Sequence, residues 1–177
     1  MQQLRPFITH RQIADKVAEL GQRISHDFRG ESVVLIGVLK GAGFFLADLA
    51  RQITVDATFD FISVSSYGDR TQHSGEVRLL KDVDQTLGDR NVILVEDIAD
   101  TGLTLSYLKN LFLARHPRQL KIAALLDKSC RRIAPVSIDY VGFVIPDEFV
   151  VGYGMDLAER YRNLKDICVL ESSSSAM

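Results

Sequence analysis

The sequence predicts an α/β protein with a mainly parallel twisted sheet flanked by helices. Two observations carry that expectation. Short apolar runs at residues 33–38, 92–95, 120–126 and 140–145 are rich in β-branched residues and read as strands buried on both faces. Helical patterns separate several of these runs, and strand–helix alternation implies parallel neighbours. The length, 177 residues, suits a single domain.

Taken in order, Thr9-His10-Arg11-Gln12 has the spacing of a capping box. Ile13, Val17, Leu20 and Ile24 then recur on one helical face, and Gly30 ends the segment. The strand at 33–38 runs into the tight turn Leu39-Lys40-Gly41-Ala42-Gly43, followed by an apolar helix over about 44–53. This turn lacks the spacing of a Walker loop and, alone, is an ordinary βα connection. Residues 58–65 alternate as a strand. Residues 65–75 are polar, with two glycines, and read as a mobile loop. Residues 76–81 return as the other arm of a long hairpin. The run at 92–95 leads directly into Glu96-Asp97, and a helix begins at Leu105 and closes at His116-Pro117. Asp127-Lys128 ends the next strand, and Pro146-Asp147 ends the one after. The apolar-aromatic piece Phe149-Val150-Val151-Gly152-Tyr153-Gly154 suits a cover over a site, and 167–170 is a last short strand. The serine-rich tail, 171–177, is expected to be disordered.

Composition narrows the function. Apolar residues make up 46%, enough for a sizeable core, and charged residues 25% with a net charge of −2. A nucleic-acid binder would carry a basic excess. No run approaches the length of a membrane span, and residues 1–10 lack an apolar signal core. Cys130 and Cys168 form no Cys-x-x-Cys pair, so a reducing cytoplasm is the expected location. The four histidines are scattered and suggest no zinc site.

The chemistry concentrates after the strand at 92–95. Adjacent Glu96 and Asp97 resist joint ionisation, a cost that a divalent cation or a hydroxyl-rich ligand would relieve. Asp100 and Thr101 can cap the following helix, and Gly102 lets backbone approach a ligand closely. Exposed amides at a helix start suit phosphate. In open α/β sheets, ligands bind at this edge.

Val95-Glu96-Asp97-Ile98-Ala99-Asp100-Thr101-Gly102 resembles the phosphoribosyl-pyrophosphate signature of type I phosphoribosyltransferases, in the form of their hypoxanthine-guanine branch. Four further stretches match in order. These are Leu39-Lys40-Gly41-Ala42, Ser66-Tyr67, Asp127-Lys128, and Asp147-Glu148-Phe149-Val150-Val151-Gly152-Tyr153 through Asp156 and Arg162. The similarity spans about Ile8 to Leu170.

The resemblance implies a core over about 30–146, a small hood from about 1–29 and 147–170, and a cis peptide before Lys40. It implies transfer of 5-phosphoribose from phosphoribosyl pyrophosphate to a 6-oxopurine, as purine salvage. Asp100 becomes the general base. Asp100, Thr101, Gly102, Leu103 and Thr104 cradle the 5-phosphate, and Glu96 and Asp97 hold the ribose hydroxyls directly or through Mg²⁺. Lys40, Gly41, Arg162, Ser66 and Tyr67 bind pyrophosphate, and the loop at 65–75 closes over the site during turnover. Ile98, Lys128, Phe149, Val150 and Asp156 line the purine site. Two Mg²⁺ ions are implied, with Glu96, Asp97 and Asp156 as metal-side residues. Lys128 donates but cannot accept, so it suits a 6-oxo group and opposes the 6-amino group of adenine. The family also implies a homo-oligomer, dimer or tetramer.

This chain departs from the family pattern at Ala42, Ala99 and Leu103, which removes no proposed catalytic group and leaves the preference among hypoxanthine, guanine and xanthine open. The alternative reading is a regulator of the same fold that binds phosphoribosyl pyrophosphate as an effector. A phosphoribosyltransferase for adenine, uracil or orotate is disfavoured by Lys128 followed by Phe149-Val150.

Overall fold

The computed structural model describes residues 3–67 and 76–171. Its main sheet has six strands in the order β4-β3-β2-β5-β6-β7. These are β2 (Val33–Leu39), β3 (Ala57–Tyr67), β4 (Glu76–Lys81), β5 (Asn91–Ala99), β6 (Gln119–Asp127) and β7 (Tyr140–Val144). All run parallel except β4, which pairs antiparallel with β3 as the expected hairpin. The sheet is therefore mixed but mainly parallel.

Three helices cover it: α1 (His10–Asp27), α2 (Gly43–Gln52) and α3 (Leu103–Leu113). The pleat sorts the apolar runs between its two faces. Val33, Leu35, Ile93, Val95, Ala123 and Leu125 pack with Ile13, Val17, Leu20 and Ile24 of α1 and Phe45, Leu46 and Leu49 of α2. Val34, Ile36, Val92, Leu94, Ile122 and Ala124 pack with Leu105, Leu108 and Phe112 of α3. Both faces are buried, so the central strands show no polar alternation. Each large aliphatic side chain so buried contributes about 1.5–3 kcal/mol.

This arrangement creates the crevice. Strands β2 and β5 are neighbours, yet the chain leaves β2 for α2 on one face and β5 for α3 on the other. The two connections diverge at the strands' C-terminal ends, and ligands bind where such connections part.

A second sheet of three antiparallel strands has the order β1-β9-β8, from β1 (Gln3–Ile8), β8 (Val150–Val151) and β9 (Ile167–Glu171). Its Val150, Ile167 and Val169 belong to the same apolar cluster as α1 and α2. Strand β1 has no counterpart in the sequence reading. Pro6 interrupts it with an irregular register, and its partner β9 lies at the other end of the chain.

Several boundaries differ from expectation. The capping box on α1 is present, but the helix stops at Asp27, and Gly30 (φ 80°) lies in the turn beyond it. Strand β3 runs on to Tyr67 because Ser65, Ser66 and Tyr67 pair with Arg78, Val77 and Glu76. Residues 65–67, expected as the start of a loop, are thus part of the strand. Residues 68–75, the side chains of Ser66 and Tyr67, and the tail from 172 onward lie outside the described residues. Helix α3 starts earlier, at Leu103, and closes at Leu113, with His116 at φ 54° in the following turn. Among the described residues, no helix is long and apolar enough to cross a membrane.

Candidate active site

Strand β5 carries the acid pair within its length, not past its end. Glu96 and Asp97 are 8% and 7% exposed, and β5 continues to Ala99 through pairing with β6. Burial pushes both carboxyls above their usual range, Glu96 well above it. The neighbouring Asp97 charge adds to the rise at Glu96. Glu96 Oε2 has no hydrogen-bond partner. Asp97 packs against Gly41, where any side-chain carbon would collide with its carboxylate. The turn after β2 can approach β5 this closely only with glycine at that position.

The start of α3 is uncapped. Asp100 and Thr101 were expected to cap it, but the N-cap residue is Gly102, at φ 82° and with no side-chain cap bond. A Cβ at Gly102 would lie 2.8 Å from both Ala134 O and Arg132 Cδ, so crowding and left-handed backbone both require glycine. The Leu103 amide lies 3.5 Å from Thr101 Oγ1, the limit of hydrogen bonding. The leading amides of a helix have no partner within it, and their partial positive charge faces outward. A cavity of about 90 Å³ opens there, lined by Glu96, Ile98, Asp100, Thr101, Gly102 and Thr104 among others. At ~30 Å³ per water, its size suits a small anion rather than a whole nucleotide. A larger cavity of about 780 Å³ includes Ser25, His26, Arg29 and Asp56, at the opposite edge of the sheet and away from the acids.

Asp100 is connected to the expected purine residues by a chain of charges. Arg131 Nε lies 3.2 Å from Asp100 Oδ1, near enough for an ion pair but without hydrogen-bond alignment. The other end of Arg131 donates to Asp147 Oδ1 at 3.3 Å, and Lys128 Nζ stands 3.7 Å from the same oxygen. Lys128 is buried at 5% exposure, not a solvated strand end. Its amide donates to Ala99 O at 2.9 Å, which ties it to the end of β5. Phe149 is 52% exposed, while Val150 is buried and Ile98 partly buried. Ala99 is buried in the α3-side cluster.

The expected pyrophosphate residues form a second group. The Leu39–Lys40 peptide is cis, as the resemblance implied. Arg162 pairs with Asp156 at 2.7 Å and donates to Gly154 O at 2.7 Å. Glu159 contacts both Lys40 and Arg162. Gly154 packs on the Gly41 backbone, joining the segment before β9 to the turn after β2.

Arg131, Asp147 and Glu159 were not singled out as site residues from sequence. The Arg131-Arg132 doublet just past Lys128 was a usable signal for the first, whereas Glu159 lies in an irregular turn with no local signature. Among the described residues no group of three or more His, Cys, Asp or Glu is arranged to hold a metal; the expected scheme gives Glu96-Asp97 and Asp156 to separate ions. Both Asp156 oxygens are engaged, by Arg162 and by the Glu159 amide.

The phosphoribosyl transferase domain model matches residues 7–158. The chain belongs to the phosphoribosyltransferase family. The hypoxanthine-guanine phosphoribosyltransferase of Bacillus subtilis is 49% identical over 165 residues, covering 93% of this chain and 92% of that one. The enzyme of the same name from Mycobacterium tuberculosis is 49% identical over 171 residues, covering 93% and 85%. A crystal structure of a hypoxanthine-guanine phosphoribosyltransferase from Bacillus anthracis, with a HEPES molecule in its active site, superposes with a TM-score of 0.91 at 50% identity. It covers 97% of this chain and all of that one. The fold expectation holds, and these family relatives are enzymes by name. The regulatory alternative finds no support among them.

Proposed function

We propose that this enzyme transfers 5-phosphoribose from phosphoribosyl pyrophosphate to hypoxanthine, and to guanine, yielding IMP or GMP and pyrophosphate. The observation that carries the reading is a buried lysine linked to an open aspartate at one sheet edge. Lys128 and Asp100 are joined through Asp147 and Arg131 beside the uncapped start of α3. Relatives of that name at 49% identity support the substrate assignment.

The α3 amides and the hydroxyls of Thr101 and Thr104 bind the 5-phosphate, aided by the helix dipole. Glu96 and Asp97 hold the ribose hydroxyls. Lys128 donates to the purine 6-oxo oxygen, Val150 offers its backbone to the ring edge, and Phe149 stacks on the base. Asp100 accepts the proton from the purine ring nitrogen as the new glycosidic bond forms. Lys40, Gly41 and Arg162 receive the departing pyrophosphate. The transition state resembles an oxocarbenium ion, so positioning and charge carry the catalysis.

The unpartnered Glu96 oxygen and the raised carboxyls fit a hard divalent cation. Glu96 and Asp97 would hold Mg²⁺, which would supply positive charge for the pyrophosphate leaving group. Asp156, now paired with Arg162, would be the residue to hold a second ion. The small sheet serves as the hood over the site. A cytoplasmic homo-oligomer completes the reading, supported by exposed apolar side chains such as Phe59.

The test is a product assay with phosphoribosyl pyrophosphate, Mg²⁺ and each base in turn. IMP from hypoxanthine, abolished by chelator and restored by Mg²⁺, is expected. Product from adenine, uracil or orotate but not from any 6-oxopurine would overturn the assignment.

A further inference from the structure

The two cations proposed to receive pyrophosphate share a single carboxylate. Lys40 Nζ donates to Glu159 Oε2 at 3.0 Å, and Arg162 Nη2 lies 3.5 Å from Glu159 Oε1. Each oxygen of Glu159 faces a different cation. Lys40 comes from the turn after β2 and Arg162 from the segment before β9, so Glu159 bridges two separate parts of the chain. It does so from an unusual turn, with φ 50° at Ala158, 65° at Glu159 and 75° at Tyr161. Side chains of this kind enter the left-handed region only when surrounding contacts hold them there. Here the Glu159 amide donates to Asp156 Oδ2 at 2.8 Å, while Asp156 pairs with Arg162.

We propose that Glu159 is an intramolecular stand-in for pyrophosphate. Its carboxylate bridges Lys40 and Arg162 between turnovers, and the oxygens of pyrophosphate or phosphoribosyl pyrophosphate displace it. The proposal rests on the reading that Lys40 and Arg162 bind pyrophosphate. A carboxylate and a phosphate both present anionic oxygens to N–H donors, so one substitutes for the other at the same cations. The bridge is also weak enough to yield. Lys40 and Glu159 side chains are 66% and 65% exposed, and ion pairs in water are worth little. Two effects follow. Glu159 keeps two long cationic side chains ordered for the incoming ligand, and it competes with that ligand at every turnover. Competition of this kind speeds pyrophosphate release, a step that limits many enzymes.

Glu159→Gln tests the idea, because glutamine keeps the size and loses the charge. Calorimetric titration of the intact protein with inorganic pyrophosphate and Mg²⁺ should show affinity rising by about 2- to 10-fold, the range of one exposed ion pair plus relieved repulsion. The KM for phosphoribosyl pyrophosphate should fall in parallel, and added salt should shrink the gain. In a Lys40→Met background the gain should be smaller, since one arm of the bridge is already gone. Unchanged or weaker binding in Glu159→Gln would overturn the stand-in. Lys40→Met reports on the underlying reading separately. Weaker pyrophosphate binding there, without a gain in Glu159→Gln, sinks the stand-in alone; unchanged binding sinks the assignment of Lys40 and the stand-in with it. Thermal melting checks that each variant is folded, and Glu159→Ala, also uncharged, should repeat the gain if Gln disturbs the turn.

Discussion

Asp100 and Lys128 show how much of a site individual residues determine. Asp100 sits beside the uncapped helix start with one face toward Arg131, and it does not cap the helix. Asp100→Asn keeps the shape but cannot take the proton, so kcat should fall by roughly 10²–10⁴ in a folded protein. Near-normal turnover would reduce Asp100 to a loop residue. Lys128 is buried with Asp147 as its ion-pair partner. Lys128→Ala should weaken transition-state binding with hypoxanthine by about 1.5–3 kcal/mol, the worth of a charged hydrogen bond. It should not create an efficient adenine enzyme, since a lost donor adds no partner for a 6-amino group. Steady-state kinetics with both bases checks this. The types and order of these residues were legible in the sequence. Their connection through Arg131 and Asp147 was not, because a bond between loops after different strands leaves no trace in local spacing.

Among the elements, the β3–β4 hairpin offers a pH test. The Asp60 carboxylate accepts from the amides of Phe61 and Asp84 at 2.7 Å and of Gln85 at 3.3 Å, with Lys81 at 3.7 Å. Burial pushes this carboxyl up, but the amides and Lys81 more than reverse the effect and leave it below its usual 3.8. A depressed acid contributes stability that is present above its unfolded value and lost as pH falls through its folded value. Asp60→Asn should therefore cost about 1–2 kcal/mol at neutral pH. The gap to the parent should hold down to about pH 5 and close below about pH 4. Denaturant melts across that range measure it, and a gap that widens in acid would contradict the assignment. The central strands were plain in the sequence because burial on both faces erases alternation. Strand β1 was not, since its pairing with β9 is long-range and Pro6 breaks its pattern.

At the scale of the molecule, the join between the small sheet and the main sheet depends on glycines. Gly154 has φ 101°, and a side-chain carbon there would collide with the Gly41 carbonyl. Gly154→Ala should destabilise the fold by at least about 1–3 kcal/mol, with Tm falling by roughly 2–4 °C per kcal/mol. It should also raise KM for phosphoribosyl pyrophosphate more than KM for the purine, because Gly41 borders the pyrophosphate residues. Melting curves and kinetics on the same preparation check both, and a fully stable variant with unchanged constants would remove Gly154 from the join.

By itself the sequence determined the strands of the main sheet and its helices, the acid pair, and the candidate phosphate, base and pyrophosphate residues. The strands, helices and acid pair follow from local periodicity and short motifs, whose physics acts over a few residues; the base and pyrophosphate residues follow from the ordered resemblance to the family. The tertiary structure alone decided that Glu96 and Asp97 are buried carboxyls with an unpartnered oxygen, and that Gly102 leaves the helix start uncapped. It alone placed Glu159 between Lys40 and Arg162. Burial, orphaned polar atoms and ion pairs depend on which distant segments meet, and that is settled when β2 and β5 pair and their helices turn to opposite faces.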